Sequence, residues 1–166
     1  MQTLDRDSVS IHIEAPADHI YRLVADVTRM PEFSPEILTC RWLDGARAPA
    51  VGVRFAARNK VPRRPPWTNK PVVTVVEPGR AFGFARTERF AGTVEWNYRF
   101  EPEGSGTTVT ESYEVTQPLS RVGWFIIGTL FGRSDRRHDL RAGMEQTLQR
   151  IRDAAEQQAS VSPERH

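Results

Sequence analysis

The C-terminal part of the chain carries one continuous apolar stripe at helical spacing, and this stripe limits how the rest can fold. The stripe consists of Leu140, Met144, Leu148, Ile151 and Ala155. Residues spaced three or four apart share one face of a helix, and such a face has to be buried. Ser134 and Asp135 are favourable caps for its start. The rest of the chain must therefore supply an apolar layer that covers one long helix.

Seven segments ahead of this helix predict β-strands, because apolar and polar residues alternate in them or β-branched residues cluster. The clearest is 93–101, where Trp96 and Tyr98 share a face with other apolar residues. The glycine-rich turn at 104–106 predicts a hairpin with the strand that follows. The predicted strands are 8–14, 37–43, 51–59, 72–77, 81–87, 93–101 and 107–116.

The order of these elements favours an α+β fold. A helix is predicted to begin near Pro16, between the first two strands, and the long helix follows the last strand. Strands that cluster apart from the long helix are typical of α+β proteins. We predict a curved antiparallel sheet of about six to seven strands wrapped around the C-terminal helix, with an internal cavity where the layers leave space. A single domain is expected over 1–157, followed by a polar tail over 158–166.

Several classes of protein are excluded by what the sequence lacks. Cys40 is the single cysteine, so an internal disulfide or a multi-cysteine zinc site cannot form. The four histidines show no metal-ligand spacing, and no phosphate-binding glycine motif is present. The longest apolar run, 122–132, is shorter than the roughly 20 residues that span a bilayer. We therefore expect no metal or other cofactor, and a cytoplasmic location.

The positive charge is concentrated in one segment. Lysine and arginine total 23 against 21 acidic residues, but residues 45–76 hold seven basic residues and no acidic one. Charge confined in this way argues against a nucleic-acid partner with a broad basic face. The stretch 58–70 is either a solvated connection or a lid whose Trp67 enters the cavity. As a lid, its cations would meet an anionic headgroup, a membrane surface or a carrier protein.

The apolar run 122–132 leaves three alternatives open. It can belong to the core, form a dimer surface or touch a membrane. An oligomer is therefore possible.

Four segments in order resemble the START-like (SRPBCC) superfamily, and most closely its polyketide cyclase/dehydrase and lipid-transport family. They are APADHIY at 15–21 with DVTRMPEFSP at 26–35, VEPGRAF at 76–82, WNYRFEP at 96–102 with GTTVTE at 106–111, and residues 143–156. The resemblance spans about residues 8–157. It implies a helix-grip fold with an apolar cavity, but it covers binders, carriers, cyclases and aromatases and so leaves the activity open.

Glu111 is the strongest candidate for a catalytic or ligand-binding residue. It shares the apolar face of strand 107–116 with Val109 and Tyr113. A carboxyl group on that face needs a partner or a raised pKa, and either would suit a general base or a ligand anchor. The alternative is an ordinary ion pair or a strand end. Arg86, on the face of Phe82 and Phe84, is either that partner, an anchor for an anionic ligand, or a solvated side chain.

We predict a binder, and possibly a transporter, of a lipid-like or polycyclic hydrophobic molecule. The predicted ligand-binding residues are Phe55, Trp67, Phe84, Arg86, Trp96, Tyr98, Glu111, Tyr113, Met144 and Leu148. The first alternative is a polyketide cyclase, aromatase or dehydratase in which Glu111 moves a proton and Tyr98 or Arg86 stabilises an enolate. The second is a protein-interaction module. A cavity above roughly 300 Å³ favours the first two, and a filled core favours the third.

Overall fold

The computed structural model describes residues 6–88, 92–117 and 136–161, which form eight strands and three α-helices. The strands are β1 (Arg6–Ile13), β2 (Ile37–Trp42), β3 (Phe55–Asn59), β4 (Trp67–Asn69), β5 (Val72–Glu77), β6 (Ala81–Glu88), β7 (Gly92–Glu103) and β8 (Gly106–Gln117). The helices are α1 (Ala17–Ala25), α2 (Met30–Phe33), which a 3₁₀ turn at Val27–Arg29 precedes, and α3 (Arg136–Val161). The apolar run at 122–132 and the predicted caps Ser134 and Asp135 lie outside the described residues.

The strands form two antiparallel sheets that meet at one edge. The larger sheet has the order β1-β8-β7-β6-β5, and the smaller has the order β2-β3-β4. Where they meet, the Val73 amide donates to the carbonyl of Val53, and the Phe55 amide donates to that of Pro71. These bonds join the two sheets into one strongly curved surface.

The C-terminal helix lies in the hollow of this surface. It packs against β1, α1, α2 and β8. Met144, Leu148, Ile151 and Ala155 are buried, and Leu140 is half-buried. The apolar stripe from Leu140 to Ala155 is thus the inner face of α3. The fold is the α+β helix-grip arrangement that the sequence predicted, with a curved antiparallel sheet around the last helix.

Two details differ from the prediction. Trp67–Asn69 is a short additional strand that pairs with β3, whereas the prolines before it predict an exposed connection. Residues 51 and 52 form a turn, with Gly52 at φ +90°, and Arg54 makes only an isolated bridge to Val72, so β3 begins at Phe55.

Among the described residues, no helix is both long enough and apolar enough to cross a membrane.

Candidate functional site

A partly enclosed cavity of about 90 Å³ lies between the curved sheet and α3. Most of the residues predicted to bind a ligand line it, namely Phe55, Phe84, Arg86, Trp96, Tyr98, Glu111 and Met144. These residues come from β3, β6, β7, β8 and α3, so the helix and both sheets contribute to the lining of the cavity. The expected cavity is present. Its volume is smaller than the roughly 300 Å³ above which the sequence analysis favours a ligand binder or an enzyme.

Three predicted ligand-binding residues lie outside this lining. Trp67 is half-buried on β4, where the Arg64 guanidinium stacks 4.0 Å from the centre of its ring. Tyr113 lies directly opposite Trp96 on the β7–β8 pair, with 5.3 Å between the ring centres. Leu148 is part of the hydrophobic core, one helical turn beyond Met144. In this structure Trp67 does not line the cavity, and its ring stacks with Arg64 instead.

The polar centre of the cavity is a pair formed by Tyr98 and Glu111. The two residues are directly opposite each other on β7 and β8. The Tyr98 hydroxyl donates to Glu111 Oε1 at 2.9 Å. Glu111 is only 4% exposed, and its second oxygen, Oε2, is buried without a hydrogen-bond partner among the described residues. An unpartnered polar atom on a cavity wall is a group that a ligand can satisfy.

Burial controls the protonation of this pair. Burial raises the pKa of Glu111 from 4.5 to about 8, and the hydrogen bond from Tyr98 opposes this rise only in part. Burial and the neighbouring carboxyl group raise the pKa of Tyr98 well above its ordinary value of 10. At neutral pH both groups are therefore uncharged in most molecules. Because Oε1 accepts from Tyr98, the proton of Glu111 resides on Oε2, where it can be donated to a ligand.

Sequence reasoning missed two buried amides in the lining, Asn59 and Asn69. They are 2% and 7% exposed, and the Asn59 amide group donates to the carbonyl of Ala57 at 3.0 Å. A signal for Asn59 was available, since it shares its strand parity with Phe55 and Ala57. Asn69 gave no such signal, because the prolines before it predict an exposed connection and not a strand.

A third side of the cavity comes from α1, α2 and the segment after them. This side is formed by Val24, Met30, Phe33, Ser34, Pro35, Glu36 and Ile37. Pro35 and Asp139 are the exposed members of the lining, while Arg86 and Glu36 are half-buried. We therefore place the open end of the cavity near Pro35 and Asp139, and its deep end at Glu111.

Within the ranges that the structure describes, no group of three or more histidine, cysteine, aspartate or glutamate side chains could hold a metal ion. The chemistry available in the lining is thus apolar contact, a buried carboxyl at Glu111, two further carboxyls at Glu36 and Asp139, one phenol, two amides, a guanidinium, and the hydroxyls of Ser34 and Thr147.

The chain matches the family model for polyketide cyclase/dehydrase and lipid transport over residues 7–156. Its structure is similar to the solution structure of a polyketide-cyclase-like protein from Corynebacterium glutamicum. That protein is 33% identical, with a TM-score of 0.63 and 99% of each chain covered. A search of curated proteins gave no match.

More distant structures share the fold. The di-domain ARO/CYC protein StfQ from the steffimycin biosynthetic pathway is 16% identical at a TM-score of 0.74, over 96% of this chain and 53% of that one. A START superfamily protein from Mycobacterium smegmatis is also 16% identical, at a TM-score of 0.65, over 92% of this chain and 98% of that one. Because the family model covers nearly the whole chain and a relative at 33% identity covers it end to end, the chain belongs to the polyketide cyclase/dehydrase and lipid transport family.

Proposed function

We propose that this protein binds an apolar small molecule that carries a carbonyl or hydroxyl oxygen, and that Glu111 orients this oxygen. The proposal depends on a single observation. Glu111 Oε2 lies buried on the wall of the cavity without a hydrogen-bond partner among the described residues. Leaving a buried polar atom unpaired costs about 1–3 kcal/mol, and a ligand oxygen that accepts from Oε2 removes this cost.

The rest of the lining supports an apolar, ring-containing ligand. Phe55, Phe84 and Trp96 present large flat surfaces to the cavity. Such side chains contribute mainly apolar area, and a few polar groups fix the orientation of a bound molecule. A lipid-like or polycyclic ligand fits this division of roles.

The size of the cavity adds one condition. At about 90 Å³ it is smaller than the roughly 300–1,000 Å³ of sites for drug-sized ligands. We therefore expect a polycyclic ligand to widen it on binding. Met144 is the side chain best suited to give way, because methionine is flexible and adapts to irregular shapes.

The proposal can be tested with the purified full chain. Native mass spectrometry first shows whether an apolar molecule copurifies. Binding of Nile red, a neutral polycyclic dye with a carbonyl oxygen, is then measured by fluorescence for the wild type, Glu111→Gln and Glu111→Leu. Glutamine retains a donor at the Oε2 position, so its affinity should stay within about three-fold. Leucine removes the donor, so its affinity should fall about ten-fold.

Glu114 provides the matched control, because it lies on the same strand but on the exposed face. Glu114→Gln should bind Nile red as the wild type does. Equal affinity in Glu111→Leu and wild type would contradict the role of Glu111. Absence of both a copurifying molecule and Nile red binding would contradict the proposed function as a whole.

A second candidate function is proton transfer on a polyketide-like substrate, as in a cyclase, aromatase or dehydratase. The observation that favours it is the pKa of Glu111, which lies near 8. An acid or base is most effective when its pKa is close to the working pH. Tyr98 would hold the carboxyl group in place, and Arg86 in the same lining would stabilise an enolate.

Binding and catalysis are separated by one variant. In an enzyme, Glu111→Gln should keep its affinity for a poly-β-ketone thioester but lose at least a hundred-fold in turnover. Turnover equal to the wild type in this variant would remove Glu111 as the proton-transfer group and leave the binding function alone.

A further inference from the structure

The smaller sheet presents different chemistry on its two faces. On the inner face, Phe55, Ala57 and Asn59 of β3 and Asn69 of β4 line the cavity. Side chains alternate between faces along a strand, so the residues between them point outward. Arg58 follows this rule. It lies opposite Thr39 on β2 and Thr68 on β4, and all three are exposed.

Four cations belong to this outer surface, and we call them the cationic sheet face. It comprises Arg41, Arg58, Lys60 and Lys70. Arg41 has the same parity on β2 as Thr39, and each lysine directly follows one of the cavity-lining asparagines, Asn59 and Asn69. All four side chains are exposed. Three of the seven basic residues of segment 45–76 thus belong to the cationic sheet face.

These four cations are not neutralised by neighbours that the structure describes. Arg54, which precedes β3, pairs with Asp44 at 3.4 Å. The four residues of the cationic sheet face make no ion pair with any described residue. Unpaired like charges gathered on one face repel one another, and an anionic partner relieves this repulsion.

We propose that the cationic sheet face docks the protein on an anionic lipid surface. Arg41 and Arg58 lie on β2 and β3, Lys60 and Lys70 directly follow the ends of β3 and β4, and adjacent strands are about 4.8 Å apart. Such a spread matches a flat surface of many mobile headgroups better than a single anionic ligand. The two exposed large hydrophobic residues in the described part of the chain, Leu38 and Val51, belong to β2 and to the turn before β3. Exposed apolar side chains on and next to the same small sheet favour a membrane over an acidic protein or a nucleic acid.

Docking of this kind would place the wall of the cavity against the membrane. The same strands carry the cations outside and the apolar lining inside. This inference does not depend on the proposed ligand, because the charges lie on the face opposite to the cavity.

Vesicle sedimentation with the full chain tests the proposal. The vesicles are phosphatidylcholine alone or phosphatidylcholine with 30 mol% phosphatidylserine, at 50 and 300 mM salt. We expect binding to the anionic vesicles at low salt and its loss at high salt. The double variant Arg58→Gln/Lys70→Gln should lower the partition coefficient by roughly five-fold for each charge removed.

The matched control is Arg80→Gln/Arg99→Gln, which removes the same charge from exposed positions on the larger sheet and its turn. The partition coefficient of this control for anionic vesicles should fall by less than about two-fold. Equal losses in the two double variants, equal binding to neutral vesicles, or no binding at low salt would overturn the proposal. So would tighter binding to single-stranded DNA at the same phosphate concentration. Nile red binding, which should be unchanged in both double variants, keeps this outcome separate from that of the proposed function.

Discussion

The hydroxyl of Tyr98 donates to Glu111 Oε1 across the β7–β8 pair, and the other carboxyl oxygen is left on the wall of the cavity. One side chain fixes the orientation of the other. The carboxyl cannot rotate without breaking its hydrogen bond, so Oε2 keeps its direction towards the ligand. This contact gives the deep end of a largely apolar cavity a donor of fixed direction.

Glu111 makes the stability of the fold depend on pH. Its pKa is about 8 in the folded protein and 4.5 when exposed. Between these values the folded state holds a proton that the unfolded state has lost, so stability is greatest below pH 4.5 and falls as pH rises towards 8. From pH 5 to pH 8, the wild type should lose on the order of 3 kcal/mol more than Glu111→Gln. Urea unfolding at both pH values measures this difference.

The exposed neighbour Glu114 again serves as the control for this experiment. Glu114→Gln should follow the wild-type pH dependence. If the free energy of unfolding changes with pH equally in Glu111→Gln and the wild type, Glu111 titrates at an ordinary pKa in the folded state.

Removal of the Tyr98 hydroxyl should raise the pKa of Glu111 further. The hydrogen bond from Tyr98 is the one interaction that lowers this pKa against the effect of burial. In Tyr98→Phe, Oε1 also loses its donor, so we expect a stability loss of about 1–3 kcal/mol. NMR titration of the ¹³C-labelled Glu111 carboxyl group measures the pKa directly. A downward shift in Tyr98→Phe would be inconsistent with the assigned hydrogen bond.

Cys40 should react slowly with thiol reagents. Burial, together with the negative charge of Asp26, raises its pKa to about 12 against an ordinary value of 9. The thiolate is the reactive form, so its fraction at pH 8 should be about a thousand-fold lower than in the unfolded chain. The rate of alkylation by iodoacetamide, with and without urea, measures this difference. A native rate within ten-fold of the unfolded rate would contradict the raised pKa of Cys40.

The main layers of the fold could be predicted because their signals are periodic. The stripe from Leu140 to Ala155 identifies the inner face of α3, and the alternation in 107–116 places Glu111 on the buried side of β8. Both signals reflect burial of one face, which is the dominant contribution to folding. For the carboxyl group of Glu111, the sequence predicted either a partner or a raised pKa. Glu111 accepts a hydrogen bond from Tyr98 at 2.9 Å, and burial raises its pKa to about 8.

Periodicity gives the face of a residue but not its position along the sheet. Tyr113 has the same parity as Glu111, yet it packs against Trp96 and does not line the cavity. The cavity volume is likewise set by how side chains from separate layers pack, and a pattern within one strand does not contain this information. The strand β4 was not predicted, because the prolines before it favour an exposed connection. Its pairing with β3 depends on residues distant from those prolines.

Met144 and Leu148 offer a way to separate lining from packing. They lie one turn apart on α3 and are equally buried, at 2% and 1% exposure, but only Met144 lines the cavity. Substitution of either by alanine should cost about 2–5 kcal/mol of stability. Met144→Ala should also extend binding to larger ligands, whereas Leu148→Ala should leave ligand size unchanged. Affinities for ketones of one to four fused rings measure this limit, at temperatures where both variants are folded. The same shift in both variants would mean that general loosening of the core, and not the Met144 side chain, controls ligand size.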